Sequence, residues 1–270
     1  MKIGVVCVNY NNPGVTLKLI ESIEGTYNSK VLNIQIVIVD NSSNLELDTD
    51  DYETNIKIIK SSNIGYFPGL NVGLEFLYNE SETHDFAIVG NNDLLFSTKF
   101  WEVLELNKSF LEKYYIVSPR IRKPNGDEQN PHVIEDLSNR RIQYLKLVYH
   151  NKFFFKYIRL FVKLFVPNNF RRKDELNFKV NQFIDQGHGS CYILTNKYLK
   201  QFKLPEETEL YGEEFFLSKQ LKNHNISIFY FHELSVIHNE HSSTNNVLSD
   251  KLFQMKKNAF KKELLIRKNI

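Results

Sequence analysis

Short apolar runs separated by polar turns organise the first half of the chain. Residues 3–8 (IGVVCV), 34–39 (IQIVIV), 56–59 (IKII) and 86–89 (FAIV) are apolar, largely β-branched stretches bounded by Asn, Asp and Ser, the pattern of buried strands. Between them, residues 15–24 (VTLKLIESIE) and 70–79 (LNVGLEFLYN) place apolar side chains three and four apart, as helices with one buried face do. This alternation predicts an α/β domain on a largely parallel sheet. In such sheets ligands lie beyond the carboxyl ends of the strands, so chemistry is expected directly after each strand.

Those positions are all polar: Asn9-Tyr10-Asn11-Asn12, Asp40-Asn41-Ser42-Ser43, Ser61-Ser62-Asn63 and Asn91-Asn92-Asp93. Each cluster alone reads as a turn, because Asn, Asp and Ser favour turns. Four of them on one sheet edge read as a site. The last interrupts FAIVGNNDLLF, setting two amides and a carboxylate between apolar runs. No GxGxxG or GxxxxGK(S/T) follows the first strand, which excludes a dinucleotide fingerprint and a phosphate-cradling loop.

Composition narrows the class only a little. With 270 residues, 42% hydrophobic and 24% charged, the chain is globular, and a net charge of +2 leaves electrostatic partners to local clusters. Cys7 and Cys191 lie in apolar runs without CxxC spacing, which gives a disulfide or zinc site little support and fits a reducing compartment. Behind Lys2 the apolar run stops at Val8, too short for a signal-peptide core or a membrane span. A cytoplasmic location is expected.

The ordered motifs VNYNN, VDNSS, NIGYFPGLNVG and NND, followed by QGHGSCYIL (186–194), ELYGEEFFLSKQL (209–221) and VIHNEHSST (236–244), resemble those of family 2 glycosyltransferases of the GT-A fold. The rhamnosyltransferase-like branch is the most similar. The resemblance covers residues 3 to 244, with a divergent interval at 125–180. It implies a Rossmann-like mixed sheet flanked by helices in one domain over 1–270. Within it, 1–124 would bind the nucleotide sugar, 125–180 would be a helical basic-aromatic insertion, 181–245 the acceptor and catalytic half, and 246–270 a C-terminal helix.

The resemblance also implies roles. Asp93 would be the carboxylate of a DxD-like element holding Mn2+ or Mg2+ against the donor diphosphate, with His238 as second ligand. Glu214, at the start of the acidic helix, would be the general base of an inverting displacement, with Glu213 as its neighbour and competitor for the role. Acids also favour helix starts for the macrodipole alone. Asp40 would accept the imide N–H of uracil or thymine. Asn9 and Tyr10 would line base and ribose, Asn63 and Asn71 the diphosphate, and Asn91 and Asn92 the sugar or ribose. Gly65, Gly69 and Gly73 would serve either close ligand approach or helix packing. The donor would be a UDP- or dTDP-linked sugar, and the acceptor a hydroxyl of a lipid-linked or growing bacterial surface polysaccharide.

The divergent interval carries its own signal. From Arg140 to Lys173 it holds Lys and Arg interleaved with aromatics and neither Asp nor Glu. Lys152, Lys156, Arg159 and Lys163 recur at helical spacing beside an apolar face, which suits either an anionic membrane surface or packing on the protein's own body. No RNA-binding signature accompanies it, and no nucleic-acid partner is expected. The basic tail from Lys251 to Lys268 adds to the membrane reading. Two other classes compete with the enzyme: a non-catalytic sugar- or membrane-binding relative with a decayed metal motif, and a sugar-nucleotide pyrophosphorylase, whose Gly-rich, Arg-containing loop NYNNPG does not match.

Overall fold

The computed structural model describes residues 1–41, 44–79, 84–165, 174–208, 210–240 and 249–267. Ser42, Ser43, residues 241–244 of the histidine motif and Phe170 to Lys173 lie outside the described residues, as do the side chains of Arg159 and Lys163.

The alternating first half forms β1 (Lys2–Asn9), α1 (Pro13–Glu24), β2 (Asn33–Asn41), β3 (Asn55–Ser61), α2 (Tyr66–Asn79) and β4 (Phe86–Asn91). Pro13 opens α1, where its missing N–H costs nothing. The second half adds β5 (Leu94–Leu95), α3 (Thr98–Leu106), α4 (Lys108–Leu111), β6 (Ile116–Arg122), α5 (Asn139–Val148), α6 (Lys152–Phe165), β7 (Gln182–Ile184), β8 (Cys191–Thr195), α7 (Asn196–Leu199), α8 (Glu213–Lys222), β9 (Ile228–His238) and α9 (Ser249–Arg267).

The nine strands of the described residues join one sheet in the order β3-β2-β1-β4-β8-β6-β9-β5, with β7 also paired to β9. The first four strands are mutually parallel. Beyond β4 the sheet is mixed: β8 pairs antiparallel with β4 and with β6, β5 and β7 pair antiparallel with β9, and β6 pairs parallel with β9. Antiparallel neighbours need no helical crossover, so β8 lies between β4 and β6 without an alternating helix signal.

Period-two alternation supplies both faces of the sheet. Val5, Cys7, Ile36, Ile38 and Ile88 pack under Leu19, Ile20 and Ile23 of α1 and Phe100, Trp101 and Leu104 of α3. Val6, Val37, Ala87 and Val89 pack on the other face under Phe67, Leu70 and Leu74 of α2 and Leu217 and Leu221 of α8. A fully buried side chain of this kind contributes about 1.5–3 kcal/mol. Cys7 and Cys191 are free and buried in this core; burial alone pushes the Cys7 thiol up to about 12.

The helix α2 rides unusually close to β1. A Cβ on Gly73 would stand 2.3 Å from Val6 Cγ1, and one on Gly69 would stand 2.9 Å from Val8 Cγ2. Both glycines therefore face sheet side chains. Gly65 has φ 105°, a left-handed turn that favours glycine, and its carbonyl accepts from Asn41 Nδ2 at 2.8 Å.

Candidate active site

The parallel register brings the polar clusters to one edge: Asn9 pairs with Asp40, Val8 with Asn91, and Asn41 with Ser61. A hydrogen-bonded chain crosses that edge. Asn92 Nδ2 donates to Thr16 Oγ1 (2.8 Å), Thr16 Oγ1 donates to Asn9 Oδ1 (2.9 Å), and Asn9 Nδ2 donates to Asp40 Oδ1 (3.0 Å). Lys60 Nζ closes the chain on Asp40 Oδ2 at 2.8 Å. Asn9, Thr16 and Asp40 are buried, so each needs its partners, and the shared network fixes the carboxylate. Lys60 is itself exposed, and its bond to Asp40 raises its pKa.

The NND triplet is a tight turn between β4 and the short β5. Pairing of β5 with β9 sets Leu94 opposite His238, and Asn239 N donates to Asp93 O at 2.9 Å. Two residues remote in sequence thus meet: His238 Nε2 lies 3.1 Å from Asp93 Oδ1, both side chains being buried. Despite that distance, Asp93 Oδ1 accepts no hydrogen bond among the described residues. The contact lacks hydrogen-bond geometry, and we read it as a juxtaposition.

The partner of the other ring nitrogen explains this. Gln129 Nε2 donates to Glu240 Oε1 at 2.7 Å, and Lys123 Nζ holds the second oxygen of Glu240 at 2.9 Å. A carboxylate only accepts, so Gln129 must turn its carbonyl oxygen toward His238 Nδ1, which it meets at 2.9 Å. The network assigns the proton to Nδ1 and leaves the Nε2 lone pair toward Asp93. Asn91 Nδ2 also lies 3.1 Å from Nε2. A carboxylate oxygen and an imidazole lone pair converging in a buried place form a donor pair that fits a divalent cation. Among the described residues no group of three or more His, Cys, Asp or Glu could hold a metal ion.

The acidic helix start lies across the 187–190 loop. Glu214 Oε1 accepts from Gly189 N at 3.2 Å, and a Cβ on Gly189 would stand 2.7 Å from that oxygen. The next residue of the loop faces the metal-side strand, since Asn91 N donates to Ser190 O at 2.9 Å. His188, in the same loop, stacks edge-on to His238 with centroids 5.6 Å apart, and burial holds its pKa well below the usual histidine range. Tyr66 OH donates to Gly189 O at 3.0 Å.

The two glutamates differ. Glu214 is half-buried, whereas Glu213 is buried and its Oε1 has no hydrogen-bond partner among the described residues. Burial, then the neighbouring Glu214 charge, pushes the Glu213 carboxyl up to about 8, so it is mostly protonated at neutral pH. Gly212 at φ 86° turns the chain into α8. Phe216, two residues beyond Glu214 along α8, is buried.

The expected nucleotide-site residues divide into groups. Tyr10 and Asn63 are exposed beside the edge. Asn9, Asp40 and Asn92 belong to the buried chain, and Asn91 faces His238. Asn71 bonds elsewhere: its Nδ2 donates to Leu204 O (2.9 Å) and Glu206 Oε1 (2.7 Å), and its Oδ1 accepts from Leu204 N (3.0 Å). That amide ties α2 to the 204–206 segment. Sequence reasoning missed Thr16, Lys60 and Gln129, which sit in helix, strand or loop contexts without a motif, and Glu240, which lies inside the VIHNEHSST stretch but carried no role there. His188 stood inside the quoted QGHGS stretch, but only the fold brings it to His238.

No protein-family profile and no curated protein sequence matches the chain. Solved structures do. GalNAc-T7 with UDP, GalNAc and Mn2+ aligns at TM-score 0.59 with 12% identity, over 94% of this chain and 47% of that one. S. aureus TarS 1–349 in complex with UDP-GlcNAc aligns at 0.50 with 13% identity, over 92% and 62%, and S. aureus TarS at 0.52 with 12%, over 88% and 37%. The chain thus spans less than two thirds of the length of each. At this identity the likeness speaks for architecture, and it shows that the chain has the GT-A fold: a central mixed sheet flanked by helices.

Proposed function

We propose that the protein is an inverting glycosyltransferase. It would move a sugar from a nucleoside-diphosphate sugar, UDP- or dTDP-linked and with dTDP-rhamnose a candidate, to a hydroxyl of a lipid-linked or growing bacterial surface polysaccharide. The observation that carries this reading is the buried meeting of Asp93 Oδ1 and His238 Nε2 at 3.1 Å, one loop away from Glu214. The GT-A fold shared with structures that hold UDP, UDP-GlcNAc or Mn2+ supports it.

Asp93 and His238 would hold Mn2+ or Mg2+, which when bound neutralises charge on the diphosphate leaving group. Glu214 is the base: it is half-buried, and Gly189 N–H orients one of its oxygens, leaving the other for the acceptor hydroxyl. Protonated Glu213 is a poorer base and a better donor, suited to steadying a hydroxyl or carbonyl. Tyr10 and Asn63 line the nucleotide from the open side, and Asp40 reads the base once exposed Lys60 moves aside. Residues 1–124 serve the donor and 181–245 the acceptor. A peripheral seat on the inner face of the bacterial membrane would bring the protein to a lipid-linked acceptor.

A thermal-shift panel of UDP, dTDP, GDP and ADP with and without Mn2+ tests the donor side, since a ligand that binds only the native state raises its melting temperature. We expect UDP or dTDP to stabilise only with the ion present. Release of that diphosphate from its nucleotide sugars separates an enzyme from a non-catalytic binder. A panel with no Mn2+-dependent shift overturns the reading.

A further inference from the structure

We infer that one face of α6 is a docking surface for an anionic lipid bilayer, which rests on the proposed lipid-linked acceptor only for its purpose. The helix has two unlike faces. Phe155 is turned inward, its ring 5.3 Å from Phe253 of α9 and 5.9 Å from Tyr149, and Phe253 is buried. Two residues before it, about 200° around the helix, Phe153 is 62% exposed, and Tyr157 (50%), Leu160 (47%) and Phe161 (59%) continue the same ridge. Packing on the protein's own body therefore accounts for one face of α6 and leaves a ridge of large apolar side chains in water.

Charge identifies the occupant. About a third of a turn from the ridge runs the stripe of positions 152, 156, 159 and 163, all Lys or Arg. Lys152 and Lys156 are exposed there, Lys152 paired with Asp250 and Lys156 lying 5.9 Å over the Tyr157 ring. No Asp or Glu occurs between Asp136 and Asp174. An apolar ridge flanked by cations, with no acid near it in sequence, complements acyl chains beneath anionic headgroups. A second copy of the same surface would set like charges together. The basic tail does not share this role along its whole face: α9 buries Phe253, Ala259 and Phe260, Lys257 Nζ donates to His150 O, and Arg267 pairs with Asp136. It is the platform against which α6 is braced. No helix among the described residues is long and apolar enough to cross a membrane, so the contact would be at the surface.

Flotation with phosphatidylglycerol and phosphatidylcholine vesicles tests this on the full chain. The wild type should float with phosphatidylglycerol at low salt, stay behind with phosphatidylcholine, and be released as salt screens the charges. Lys156→Gln, Arg159→Gln and Lys163→Gln together should weaken vesicle binding by about a hundredfold, and Phe153→Ala with Leu160→Ala should also release the protein. UDP stabilisation with Mn2+, measured on the same samples, should be unchanged in both variants, which keeps loss of folding and failure of the donor reading distinct from failure of this one. Wild-type protein that stays soluble at low salt overturns the inference, as does equal binding to both lipids. So does a dimer in sedimentation that Phe153→Ala and Leu160→Ala dissolve while vesicles are ignored.

Discussion

The Nε2 of His238 and Oδ1 of Asp93 stand 3.1 Å apart in a buried place, and no hydrogen bond joins them. With the proton on Nδ1, Asn91 Nδ2 donates to the Nε2 lone pair at 3.1 Å. Asp93 Oδ1 is left without a hydrogen bond among the described residues, and a cation taking the place of the amide would join the two atoms. Asp93→Ala should therefore abolish Mn2+-dependent stabilisation by nucleotide while leaving the melting temperature without ligand nearly unchanged. Unaltered Mn2+-dependent binding in that variant, by thermal shift or calorimetry, would remove the assignment.

Gln129 sets the tautomer of His238 from behind. Its loss in Gln129→Leu should weaken Mn2+ affinity roughly 10–100-fold, the usual cost of removing such a support. Nitrogen chemical shifts of His238 should show the proton on Nδ1 in the wild type and a mixture in the variant. Gln129→Glu combined with Glu240→Gln reverses donor and acceptor and should restore affinity. A wild-type ring protonated only at Nε2 would contradict the mechanism.

Glu214→Gln keeps shape and cannot take a proton. Donor binding should survive while transfer falls by about two to four orders of magnitude. Near-normal transfer in the variant would move the role to Glu213 or elsewhere.

Glu213 makes a prediction about pH. Its folded value of about 8 lies above the ordinary 4.5, so between those values the folded chain holds a proton that the unfolded chain has released. Stability from this group is complete below about pH 4.5 and declines as pH rises toward 8. Glu213→Gln should flatten that decline, giving a higher melting temperature than wild type at pH 8 and a smaller gap at pH 5. Parallel stability curves for the two proteins would show that the carboxyl is not protonated in the fold.

The glycines of α2 separate packing from ligand approach. Gly73→Ala would force a Cβ to within 2.3 Å of Val6 Cγ1, and overpacking of this kind costs about 1–3 kcal/mol. Denaturant unfolding should show that loss. A stable variant that no longer binds nucleotide would instead place Gly73 at the ligand.

The alternating strands and helices of the first half were legible because each buries a face whose period follows directly from backbone geometry. The mixed half was less so: β5 is two residues long, and its place beside β9 follows from a pairing no local pattern encodes. Asp93 and His238 could be named from motifs, but Gln129 sits in the divergent interval, and its role depends on a Glu240 that only the fold brings near. Asn71 shows the converse, since its position in a motif-like stretch says nothing of the Leu204 backbone that takes up its amide. The faces of α6 were undecided in sequence because spacing gives a stripe without saying which side meets α9.

The pairing of β5 with β9 has a consequence for assembly. Asn91 and His238, which meet there, are 147 residues apart in sequence, so during synthesis from the N-terminus β9 is made well after β1 to β4. A nascent chain that has emerged only through α8 has the parallel strands and Asp93 but no imidazole to face it. Ion capture would then report completion of the fold, and incomplete chains would be unable to draw nucleotide sugar into an unfinished site.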